Sequence, residues 1–92
     1  MPSRAVEEAH LLQARRQVAS AQARIANQFT AIARLRARGL DTRRAETSLG
    51  IMRETLKVMY AYEGLVEQML AQHDADTIVR ATLHTSSARS ER

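Results

Sequence analysis

Ninety-two residues with 45% apolar side chains, three aromatic rings and no cysteine describe one small domain without disulfides or thiolate metal ligands. A core made of Leu, Ile, Val, Met and Ala suits helix-on-helix packing, and would fill a sandwich or barrel poorly. The net charge of +4 is uneven: residues 1–38 carry seven Arg against Glu7 and Glu8, whereas residues 39–73 are slightly acidic.

The opening residues lack the apolar core of a signal peptide, and no apolar run approaches a membrane span, so the cytoplasm is the expected setting. From Arg4 to Arg38 there is no Gly or Pro, and good helix formers dominate. Leu11, Val18, Ile25 and Ile32 recur every seven residues, interleaved with Ala14, Ala21, Gln28 and Leu35. This seam of alternating three- and four-residue steps predicts a long helix over residues 4–38 with one packed face.

Gly39 follows in the place where a left-handed residue ends a helix, with Leu40 positioned over Leu35. Asp41 or Thr42 is then the N-cap of the next helix. A stop and a start two residues apart predict a turn at 39–41 and two helices packed side by side in opposite directions.

The second helix is predicted over 42–73. Its seam reads Ala45, Leu49, Met52, Leu56, Met59, Glu63, Val66, Leu70 and His73. In register across the turn, Leu35 meets Ala45, Ile32 meets Leu49, and the outermost pair, Glu7 with His73, is an exposed ion pair. Gln28 is read as a register-fixing polar residue within the seam. Residues 74–84 are expected to extend the helix or else fold back on the hairpin, and the rest of 74–92, beyond His84, to be a flexible, disordered tail.

A second apolar stripe runs along the second helix: Ile51, Thr55, Val58, Tyr62, Leu65 and Met69, starting from Ser48. The two stripes together span about 200° of helix surface, more than one neighbour covers. The first helix offers Ala5, Leu12, Ala19, Ala26 and Ala33, with Phe29 beside them, as a matching stripe. The fold class expected is therefore all-α: a long antiparallel two-helix hairpin that dimerises into a four-helix bundle and ends in a short flexible tail. Another helical protein is the alternative partner.

Chemistry finds little purchase. The seam positions are mostly aliphatic, with no convergent acid–base set, and His10, His73 and His84 are not spaced to share a metal ion. Neither catalysis nor a cofactor is expected. Arg34, Arg36, Arg38, Arg43 and Arg44 cluster at the turn. The first three suit a helix C-terminus, but Arg43 and Arg44 oppose the dipole of the second helix, which makes the tip a candidate anion site. The missing aromatic interleaving argues against nucleic acid as its ligand.

The stretch from Ile25 to Met59, with Gly39, Asp41, Thr42, Ala45, Leu49, Thr55 and Leu56 in a Gly-x-Asp-Thr turn pattern, resembles small uncharacterised α-proteobacterial proteins, especially of the rhizobial type. The resemblance implies the hairpin fold and a bacterial cytoplasmic setting, and no activity. Its members often carry His where this chain has Leu40, so no role of that His transfers.

Overall fold

The computed structural model describes the backbone of residues 3–90 and the side chains of residues 3–83. Two helices make up the fold: α1, Arg4–Ala37, and α2, Arg43–Ser90. They lie side by side and antiparallel. The radius of gyration is 22.5 Å, against about 12 Å for a compact globule of this length. The molecule is a rod, so most residues have only one helix to pack against.

Both ends of α1 are capped through side chain or backbone. The Ser3 hydroxyl accepts from the Val6 N–H at 3.2 Å, which the sequence reading had not picked out. At the other end Gly39 adopts φ +69°. The Leu40 N–H then reaches the Leu35 carbonyl at 2.9 Å, and the Gly39 N–H reaches Arg36 at 3.0 Å. This is the Schellman pattern expected from Gly39. The Leu40 side chain, however, stays 52% exposed rather than covering Leu35 fully. α2 starts one residue later than expected: the Asp41 carboxylate accepts from the Arg43 N–H at 3.0 Å and supplies the first cap.

The seam is where periodicity placed it. Ala14, Val18 and Ile32 from α1 and Leu49, Val66 and Leu70 from α2 are the buried apolar residues among those described. Leu11, Ala21, Ile25, Leu35, Met52, Leu56 and Met59 fill the same line and are half-buried. Gln28 donates to the Ala45 carbonyl within it.

Two details differ. Glu7 is only 6% exposed, and no ion pair forms between it and His73 among the described residues; Glu7 Oε2 and His73 Nδ1 are both buried without a partner. Secondly, α2 extends past His73 as expected, but its helical backbone runs on to Ser90. Residue 73 marks a change of surroundings only, because α1 begins at Arg4, level with Asp74. From there α2 projects alone, and about 14 residues extend some 20 Å past its neighbour. The tail expected beyond His84 falls on residues of which only the helical backbone to Ser90 is described, and residues 91–92 lie outside the described residues.

Candidate self-association surface

In an antiparallel helix pair, the positions just after the seam on one helix face the positions just after the seam on the other. The positions just before it likewise meet each other across the opposite flank. The two flanks of this hairpin are built differently.

One flank is latched. At strict seven-residue spacing, positions 36, 29, 22 and 15 of α1 meet positions 46, 53, 60 and 67 of α2. Arg36 pairs with Glu46. The Arg53 guanidinium sits 4.9 Å from the centre of the Phe29 ring. Gln22 donates to the Tyr60 hydroxyl, and Arg15 pairs with Glu67 at 3.4 Å. Asp74, the next in the α2 series, binds Arg4, which also pairs with Glu8 at 3.0 Å. Each exposed contact is weak alone, but together they fix which way the helices face.

The other flank has no cross-helix hydrogen bond or ion pair between described residues in the equivalent positions. It carries the apolar stripe of α2. Val58 is 70% and Ile51 64% exposed, and Tyr62, Leu65 and Met69 are exposed with them. Thr55 turns its hydroxyl back onto the Ile51 carbonyl at 2.9 Å, which satisfies that group within the helix. The stripe is continued past α1 by Val79 and Leu83, both exposed and in the same helical phase.

Here the expected interface needs a correction. Leu12 and Phe29 do not share a face with Ile51 and Val58. Phe29 stacks on Arg53 on the latched flank, and Leu12 lies toward that side too, beside Glu8 and Arg15. The reason is directional: a stripe just before the seam in α2 meets the residues just before the seam in α1. Those are His10, Gln17, Arg24 and Ala31, none of them a large apolar side chain, and Arg24 borders Ile51 and Thr55. The heptad spacing of Glu46, Arg53, Tyr60, Glu67 and Asp74 was the available signal in the sequence.

The five arginines of the tip divide. Arg36 is held by Glu46. Arg43 embraces Asp41 through Nε and Nη2, at 3.1 and 2.9 Å. The guanidinium holds the Asp41 carboxyl below its usual value, helped by the Arg43 N–H, and the Arg43 pKa is raised in return. Arg43 therefore has a structural counter-ion against the helix dipole. Arg34, Arg38 and Arg44 form no ion pair with a described residue, and all three share the open flank's helical phase; Arg34 and Arg38 line a shallow groove with Ala31 and Leu35.

At the far end of the same flank a groove is lined by Glu7, Leu65, Met69, Gln72, His73 and Asp76. Among the described residues no three His, Asp or Glu side chains approach closely enough to hold a metal ion. No described helix is long and apolar enough to cross a membrane. No family model matches the chain, and no curated protein or solved structure shows detectable similarity to it.

Proposed function

We propose that this chain is a non-enzymatic self-association module, in which the open flank of one hairpin packs on that of a second copy to complete a four-helix bundle. The observation that carries this reading is the exposed stripe from Ile51 to Met69. Six residues over five helical turns present an apolar surface on the flank that the hairpin itself leaves unlatched. Among the described residues the two helices bury six apolar side chains well, and chains this small gain stability from a partner. Four helices packed around such stripes give each helix two neighbours.

The test is light scattering coupled to size-exclusion chromatography over a hundredfold concentration range, on the native chain and on Val58→Glu/Tyr62→Glu. A constant dimeric mass that falls to monomer, or a loss of folding, in the double variant is expected. A native chain that is monomeric throughout, or a double variant that stays dimeric with unchanged melting, overturns it.

A second reading rests on Arg34, Arg38 and Arg44, which form no ion pair within the described residues and would attract phosphate, whether free or on nucleic acid. It requires retardation of DNA or RNA at low salt that weakens when Arg34 and Arg44 are neutralised.

A further inference from the structure

The hairpin is electrically polar along its length. Residues 21–61, toward the turn, hold eight Arg or Lys against three Asp or Glu, a balance of +5. The described residues at the other end, 3–20 and 62–83, hold four against six, a balance of −2. Between the two lies the apolar stripe. At its acidic end Glu7 is 6% exposed with Oε2 unpartnered, and it lines a groove with His73 and Asp76. A polar oxygen buried this far without a hydrogen-bond partner is costly. No described residue supplies a partner to that oxygen.

From these observations we infer that the second copy docks antiparallel, with the arginine tip of each hairpin seated on the Glu7–Asp76 groove of the other. This rests on the self-association reading and adds its orientation.

The stripe itself supports a twofold axis across the rod. Its spacing is symmetric about position 60, so an axis there faces Ile51 with Met69, Thr55 with Leu65, and Val58 with Tyr62 of the other copy. The same operation brings Arg44 level with the second copy's Asp76. It brings Arg34, which lies near Thr47 in height, level with the second copy's Glu7 and His73. Past the end of α1 it lays Val79 alongside the second copy's turn, where Leu40 is 52% exposed. Three separate features, the stripe, the charges and the projecting end of α2, are thus served by one symmetry operator. A parallel pair would set Arg34 and Arg44 against their own copies and leave Glu7 unpaired, a like-charge arrangement that interfaces avoid.

The experiment uses the absence of cysteine. A single Thr47→Cys, on the outer face of α2, is spin-labelled, and the distance between labels is measured by pulsed electron resonance alongside the mass by light scattering. Thr47 lies thirteen residues from the axis, so antiparallel docking places the two labels about 40 Å apart along the rod. Parallel docking leaves only the width of a bundle, roughly 20 Å. A dimer with the long distance supports the orientation. A dimer with the short one overturns the orientation and leaves self-association standing. A labelled chain and a native chain that are both monomeric overturn both.

Charge variants give an independent readout. Arg34→Glu/Arg44→Glu is expected to weaken dimerisation at least tenfold, and mixing it with Glu7→Lys/Asp76→Lys is expected to restore a heterodimer at the native strength. No rescue in the mixture, with both variants helical by circular dichroism, would refute the assigned contacts.

Discussion

Gln28 donates a hydrogen bond from Nε2 to the carbonyl oxygen of Ala45, 2.9 Å away across the seam. Ala45 is the first seam residue of α2, so this bond ties the middle of one helix to the opening turns of the other. The Ala45 carbonyl lies within α2, whose own backbone ladder also satisfies it. The bond therefore adds direction more than strength, as polar residues in coiled-coil seams do.

Replacing Gln28 with Leu removes the bond without stranding an acceptor, and adds apolar contact with Ile32 and Met52. The expected result is a melting temperature equal to or above that of the native chain. A loss of more than about 1 kcal/mol, the typical net worth of one hydrogen bond, would show that Gln28 is a net stabiliser. Thermal and denaturant unfolding of the two chains decides between them.

The chain's glycines separate two effects that are usually confounded. At Gly39 a new Cβ meets nothing within 4 Å, so the whole penalty for Gly39→Ala is the backbone's φ of +69°. That penalty is about 1–2 kcal/mol. Gly50 lies inside α2, and a Cβ there also finds open space. Gly50→Ala should therefore stabilise by about 0.5–1 kcal/mol through helix propensity alone. The same substitution at two equally uncrowded sites is expected to have opposite signs in urea denaturation. A destabilised Gly50→Ala would mean that this surface is covered in solution.

The seam, the turn and the register were legible because each is written in local spacing. Leu11 to Leu35 and Ala45 to His73 repeat by threes and fours, and Gly39 followed by Asp41 admits one tight connection. The flanks were harder, since they depend on which residues face each other once the chain has reversed. Phe29 reads as a neighbour of Ala26 and Ala33 along α1, yet its interaction is with Arg53 of α2. The burial of Glu7 was also hidden. A carboxylate in the first turn of a helix suits the dipole and reads as exposed. The continuation of α2 past His73 brings Asp76 beside it, and that helical run has no partner whose pattern would reveal it. Thr77 and Thr82 there return their hydroxyls to the helix backbone at 2.9 Å, so these side chains do not break it as their composition suggests.

Asp41 should govern the acid stability of the turn. Its carboxyl is held below its ordinary value, chiefly by the Arg43 guanidinium and then by the Arg43 N–H. A group whose folded pKa is lowered contributes stability that is fully present above its unfolded value, about 3.9, and is lost as pH falls through the lower folded value. Asp41→Asn retains an oxygen for the Arg43 N–H but carries no charge for the guanidinium. The native chain should accordingly melt higher than the Asn variant at pH 7 and at pH 5, by the same margin. Below about pH 4 the margin should shrink and close as Asp41 protonates, while Arg43 stays charged throughout. Melting curves of both chains between pH 7 and pH 2, at low salt, test this directly. Acid loss common to both chains belongs to the other carboxylates, so only the difference between the curves reports on Asp41. A margin unchanged down to pH 2 would mean that Asp41 acts through shape alone and that its pairing with Arg43 does not contribute in solution.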